Sequence, residues 1–199
     1  MTEPRRSNLA LPNVKVVNVV ASTKADRQID IELLATKMPH TVYEPENFPG
    51  LIYRRCDPKV SIIVFSTGKI VSIGSMSEKT AKESIIVTIS EIMSIQGEKI
   101  TVKRITTENV VAISSIGCEI DLEKAVNCGI KAIYEPKKFP GVIYRVRNNL
   151  VALIFKSGKI ISVGSKSEDE ARSIIHLTYK ILKEFDCLLN QKAEDSVHE

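Results

Sequence analysis

Phe48 stands beside Pro49 and Phe139 beside Pro140, and each is followed by a second phenylalanine, Phe65 or Phe155, just ahead of a Gly-Lys turn. A ring in a proline-bearing loop is a poor choice for a core, so its repeated use there asks for a role in binding. The residues suited to bond-making are scattered. His40, His176 and His198 have no obvious acid, base or nucleophile partner, and "STGK" lacks the spacing of a phosphate-cradling loop. Cys56, Cys118, Cys128 and Cys187 form no CxxC pair and have no histidine at metal-ligand spacing, which reads as reduced thiols in an intracellular protein. No catalytic residue, metal site or cofactor is expected.

Those phenylalanines belong to a duplicated block. "YEPENFPGLIYR" from Tyr43 and "YEPKKFPGVIYR" from Tyr134 agree at 9 of 12 positions, and "FSTGKIVSIGSMSE" and "FKSGKIISVGSKSE" at 9 of 14. Laying Asn18 on Asn109 gives an offset of 91 residues, falling to 90 by Phe155. Two copies make a duplicated half-domain, not a solenoid, and similar halves are expected to pair about a pseudo-two-fold axis. With 199 residues, 43% of them hydrophobic and 26% charged, the chain has ordinary globular usage. The net charge of +4 permits a polyanionic partner without demanding one. There is no long apolar run for a membrane span and no signal-peptide core. The expected organisation is an N-terminal tail over 1–13, repeats over 14–97 and 98–189, and a polar, disordered C-terminal tail over 190–199.

Each half carries the same elements. β-Branched strands run from Val14 to Ser22 and from Glu108 to Ser114. Asp30 and Asp121 are placed to cap short helices. Strands follow around Val42, at Leu51 to Arg54, Val60 to Phe65 and Lys69 to Ile73, with counterparts in the second half. Each half ends in a long helix, one over Ser77 to Ser94, the other opening on a Ser167/Glu170 capping box. Such helices can cover only one face of a ten-stranded antiparallel sheet, and the other face ought then to be polar. Strand alternation says otherwise. If the helices cover Val19, Val64 and Ile70, with Val17 on the same side as Val19, then Val20, Ile63, Phe65, Val71 and Ile73 are left bare. Val111, Leu153, Phe155, Ile161 and Val163 take the equivalent places. So wide an apolar surface is expected to bind something; burial by further structure or by a dimer partner is the alternative.

With the tandem "YEPxxFPGxIYR" and "FxxGKIxSxG" blocks in place, the chain resembles the TATA-box-binding protein family over about Val14 to Leu189, and its short length looks like the archaeal form. The resemblance implies an α+β saddle of two pseudo-symmetric repeats, with a curved ten-stranded antiparallel sheet beneath and four helices on the convex face. It implies minor-groove binding to A·T-rich promoter DNA, and the family's kink of about 80° is a property of the family, not a reading of these residues. Phe48 with Phe65 and Phe139 with Phe155 match the family's wedge pairs, held in place by Pro49 and Pro140. Asn18 and Asn109 match amides that donate to adenine N3 or thymine O2. Val20, Val111, Val71, Ile161, Ile63, Leu153, Ile73 and Val163 supply the apolar floor. Arg54, Arg145, Lys69 and Lys159 match positions that meet phosphates, and Thr67 and Ser157 could add hydroxyl contacts.

Partners implied are a TFIIB-like transcription factor B and, through it, RNA polymerase, with a cytoplasmic, nucleoid-associated location. Whether the free protein forms a homodimer through the same face stays open. Two departures bear on this. Family members commonly carry threonine where this chain has Ile73 and Val163, implying weaker or less selective binding. Glu44 and Glu46 keep the acidic first loop that contacts factor B, but the second loop has Lys137 and Lys138 beside Glu135, a change of about three charges able to repel a basic partner. The alternative function is therefore a divergent paralogue acting mainly as a regulatory protein-interaction module with weak DNA binding.

Overall fold

The computed structural model describes residues 11–189. Residues 1–10 of the expected N-terminal tail, the whole expected C-terminal tail and His198 lie outside the described residues. The chain runs β1 (Lys15–Lys24), α1 (Ile31–Lys37), β2 (Thr41–Val42), β3 (Gly50–Cys56), β4 (Lys59–Phe65), β5 (Lys69–Ser75) and α2 (Glu78–Gln96). It then repeats the series as β6 (Thr106–Ser115), α3 (Leu122–Val126), β7 (Ala132–Ile133), β8 (Gly141–Arg147), β9 (Leu150–Phe155), β10 (Lys159–Ser165) and α4 (Glu168–Glu184). The ten strands form one sheet in the order β2-β3-β4-β5-β1-β6-β10-β9-β8-β7. Among the described residues, the α+β class and the ten-strand, four-helix count are as the resemblance implies.

Local chemistry sets the boundaries. Asp30 and Asp121 cap α1 and α3, accepting from the Leu33 and Lys124 N–H groups at 2.9 and 3.0 Å. Ser77 and Ser167 do the same for α2 and α4, each accepting from the N–H three residues on at 3.1 Å. The expected capping box is modified, because the Glu170 carboxylate reaches past Ser167 and takes the Lys166 N–H at 2.7 Å. That leaves the serine hydroxyl as the cap while the carboxylate secures the chain entering the helix. α2 ends at Gln96, two residues beyond the predicted Ser94, and Gly97 caps it in the left-handed conformation at φ +69°. The hairpin glycines Gly68 and Gly158 take φ +86° and +82°.

Two compact units can be distinguished. One gathers Val16–Ala112 and Ser162–Ala171. Its core joins Val19, Leu51, Ile62, Val64 and Ile70 of the strands to Leu34 of α1 and Ala81, Ile85 and Ile92 of α2, all with no exposure. α2 packs on β4 and β5, and α1 on β3 and α2. Burying the valine, leucine and isoleucine side chains among these contributes about 1.5–3 kcal/mol apiece. The other unit joins Ile113–Ile161 to 11–15 and 172–189, with Ile120, Val142, Ile154, Ile160, Ile175 and Leu182 fully buried and α3 against β8. Among the described residues, no helix is long and apolar enough to cross a membrane.

Candidate nucleic-acid interface

With the helix-facing side chains buried, the opposite side of each strand set can be traced by register. In the first unit Ile52 lies opposite Ile63, which lies opposite Val71. In the next row Arg54 faces Ser61, Ser61 faces Ile73, and Ile73 faces Val20. In the second unit Ile143 faces Leu153 and Arg145 faces Val151. Val20, Ile63, Val71, Ile73, Val111, Leu153, Ile161 and Val163 are half-buried, not bare. The pairings supply the reason, since cross-strand neighbours shield one another. Val17 corrects the alternation expected of β1: it is 36% exposed whereas Val19 is buried. Its twin Glu108 is also exposed, so the position faces solvent in both copies.

Phe48 and Phe65 form an edge-to-face pair with centroids 5.8 Å apart and rings 62° to one another. Phe139 and Phe155 repeat it at 5.6 Å and 62°. All four rings are half-buried. Each pair lies over a glycine, because Gly50 is the register partner of Phe65 and Gly141 that of Phe155. A Cβ on Gly50 would stand 2.8 Å from Phe48 and 3.1 Å from Phe65; on Gly141 it would stand 3.1 Å from Phe139 and 3.2 Å from Phe155. The glycine after each Phe-Pro thus leaves space that the rings share with Ile63 in the first copy and with the Ile154 carbonyl oxygen in the second. The first ring is fixed by its turn, with Phe48 N–H donating to Glu44 O and Phe139 N–H to Glu135 O, both at 2.9 Å.

The two asparagines are oriented by backbone donors. Opposite β1 the register slips, with Val20 facing Ile73 and Val19 facing Ser75, so Gly74 is the extra residue of a bulge at φ +96°. Its N–H donates to Asn18 Oδ1 at 3.0 Å, and the N–H of Gly164, also at φ +96°, donates to Asn109 Oδ1 at 2.9 Å. An N–H can be accepted only by the amide oxygen, so each Nδ2 is turned away from its glycine with its donors available. One amide can therefore satisfy a backbone N–H through its oxygen and still present donors for recognition.

Arg54, Arg145, Lys69, Lys159, Thr67 and Ser157 are exposed, as are Glu44, Glu46, Glu135, Lys137 and Lys138. Asn47 Nδ2 donates to Glu44 at 3.0 Å, and Lys138 pairs with Glu135 at 2.5 Å, so the same three-residue span closes both loops. Glu108, next to Asn109, accepts from the Ser22 hydroxyl at 2.8 Å. That bond, the Thr106 hydroxyl and then Lys166 hold its carboxyl below the ordinary value. Among the described residues, no group of three or more His, Cys, Asp or Glu side chains could hold a metal ion. Gly50, Gly141, Gly74, Gly164, Ile52 and Ile143 were not anticipated as part of this surface. The doubled "FPG" and the doubled "SIG/SVG" were the available signals.

The family model for "Transcription factor TFIID (or TATA-binding protein, TBP)" matches the chain twice, over 13–95 and 104–185. A TATA-box-binding protein of Pyrobaculum calidifontis is 36% identical over 178 residues, 89% of each chain. One of Methanocaldococcus jannaschii is 37% identical over 174 residues, 87% of this chain and 95% of that one. The solved structure described as Methanococcus jannaschii TBP matches with a TM-score of 0.73 at 36% identity, covering 87% of this chain and 99% of that one.

Proposed function

Because the chain belongs to the TATA-binding protein family, we propose that it is a general transcription initiation factor that binds A·T-rich promoter DNA in the minor groove and kinks it with its phenylalanines. The observation that carries this reading is the ring pair of each repeat, lodged over a glycine on the strand face opposite the fully buried side chains. An aromatic edge offered from an apolar floor can slip between base pairs and replace the stacking it disrupts, at a cost of a few kcal/mol per step. Val20, Ile63, Val71, Ile73, Val111, Leu153, Ile161 and Val163 then lie along the widened groove. The free Nδ2 donors of Asn18 and Asn109 suit adenine N3 and thymine O2, and the exocyclic amine of guanine would oppose them.

Arg54, Arg145, Lys69 and Lys159 meet phosphates in this reading, with Thr67 and Ser157 adding hydroxyls. Four neutralised phosphates give log affinity a slope of about −3.6 against log salt. The loops carrying Glu44 and Glu46, and Glu135, Lys137 and Lys138, are the proposed docking points for a TFIIB-like factor, through which polymerase is recruited. The test is a gel-shift with circularly permuted TATA fragments, run with a G·C-rich competitor and with or without the factor-B homologue. Binding and bending confined to the A·T fragment support the proposal; equal retention of the G·C duplex, or binding without bending, overturns it.

The half-buried aliphatic side chains of Ile73 and Val163 favour a second reading. Placed where the family commonly has threonine, they leave a base acceptor dry, costing roughly 1–3 kcal/mol. In that case the chain is a divergent regulatory module occupied chiefly by protein, and the same assay reports weak DNA retention in every lane.

A further inference from the structure

Cys128 and Cys187 are 59 residues apart in sequence, yet their sulfurs stand 3.1 Å from one another. Both are buried, Cys128 at 5% exposure and Cys187 at 0%. Cys128 follows α3, and its thiol donates to Lys124 O at 3.3 Å. Cys187 follows α4 on a short segment laid against the entrance to α3. Asp121 N–H donates to Cys187 O at 2.9 Å, Leu189 N–H to Glu119 O at 2.8 Å, and Lys124 Nζ to the Asp186 carboxylate at 3.0 Å. The segment is thus held at its end by a few bonds, two of them from the exposed pair Lys124 and Asp186. Among the described residues, Cys56 and Cys118 have no comparable sulfur neighbour: Cys56 is exposed on β3, and Cys118 is half-buried after β6.

We propose that Cys128 and Cys187 are a dithiol site that oxidises to an intramolecular disulfide, covalently fastening the segment after α4 to α3. The oxidant is a low-molecular-weight disulfide. A thiolate at Cys128 attacks one sulfur of that disulfide, breaking its S–S bond and releasing a small thiolate, which takes up a proton. A Cys187 thiolate then attacks the Cys128 sulfur of the mixed disulfide and expels the second small thiol. Two cysteines lose two electrons and two protons, and the oxidant gains them as two thiols. Burial, then the hydrogen bond with Cys128, pushes the Cys187 thiol up to about 12, so the closed segment protects the reduced pair. Exchange therefore proceeds through local opening of residues 186–189, which needs no unfolding of the strands.

The test uses the full chain incubated with oxidised glutathione, quenched with N-ethylmaleimide in denaturant, and mapped by peptide mass spectrometry. The expected product is a cross-linked peptide pair joining Cys128 to Cys187, lighter by two hydrogens than the reduced pair. Closing so long a loop should raise Tm by roughly 10 °C, reversed by dithiothreitol. Cys128→Ala and Cys187→Ala each abolish the redox-dependent shift, and Cys118→Ala leaves it intact. Glutathione adducts on Cys56 with both inner thiols still free overturn the proposal, as does a cross-link to Cys118 or a Cys128–Cys187 link that leaves Tm unchanged. The mapping reads the unaltered chain, so a variant that fails to fold does not obscure the answer.

Discussion

The loop before Phe48 and the loop before Phe139 have one backbone and two electrostatic characters. In both, the phenylalanine N–H closes on a glutamate carbonyl at 2.9 Å, and the ring meets its partner at 62°. Yet Glu46 and Asn47 of the first become Lys137 and Lys138 of the second. Hydrogen bonds within the turn, the proline and the glycine beneath the rings determine how a ring is presented. The exposed side chains between them keep a closing contact, Asn47 with Glu44 and Lys138 with Glu135, but differ in charge and so can diverge toward a partner. The same division runs through the strands, where Asn18 and Asn109 keep their glycine donors while Val17 is replaced by Glu108.

The largest effect should come from removing what the two loops share. Phe65→Ala and Phe155→Ala should each weaken binding to an A·T duplex about 5- to 150-fold, on the scale of 1–3 kcal/mol per stacked base, and reduce bending, with Tm little changed. Gly50→Ala should behave similarly, because the added methyl meets only the side chains of Phe48, Ile63 and Phe65, whereas Gly141→Ala also meets the Ile154 carbonyl oxygen at 2.8 Å and should lower Tm as well. Thermal melts with bending measurements separate these outcomes from simple unfolding; a variant that unfolds would return the rings to the core. Next come Asn18→Asp and Asn109→Asp, which keep an acceptor for Gly74 or Gly164 but lose the outward donors. Each should cost roughly 1–3 kcal/mol on A·T duplex, and their equality or inequality shows whether the repeats read DNA alike.

A smaller effect is expected where the loops differ. Lys137→Glu with Lys138→Asn copies the first loop onto the second, and should tighten the ternary complex with a basic factor B several-fold while leaving DNA bending unchanged. Titrating the factor onto preformed complex measures this. Ile73→Thr and Val163→Thr should add about 1 kcal/mol of affinity by satisfying a dry acceptor. The smallest effect is on stability. Glu108 has a folded-state pKa below its unfolded value, so its contribution is present above the ordinary carboxylate range and lost as pH falls through the folded value. Side-chain exposure of 45% keeps that contribution modest. Acid denaturation of Glu108→Gln should therefore show a slightly flatter acid limb.

What proved legible was local. Asp30, Asp121, Ser77 and Ser167 announce helix starts because a cap needs only its own next three residues. The strands and the doubled ring placement follow from period-two alternation and the repeat. What escaped depends on register. Gly74 becomes a bulge only because β1 pairs with β5 out of step, and that slip is what fixes the Asn18 amide. Half-burial of the open face follows from pairings such as Ile73 with Val20, invisible until strand order is known. The apposition of Cys128 and Cys187 likewise depends on where the segment after α4 comes to rest.

The central claim is that the rings enter the DNA. 2-Aminopurine placed at the base steps bounding an A·T site fluoresces when unstacked, and the protein should brighten it at both ends. Phe48→Ala with Phe65→Ala should silence one end, and Phe139→Ala with Phe155→Ala the other. Tight binding of the unaltered protein with the probe still dark at both steps would contradict the account.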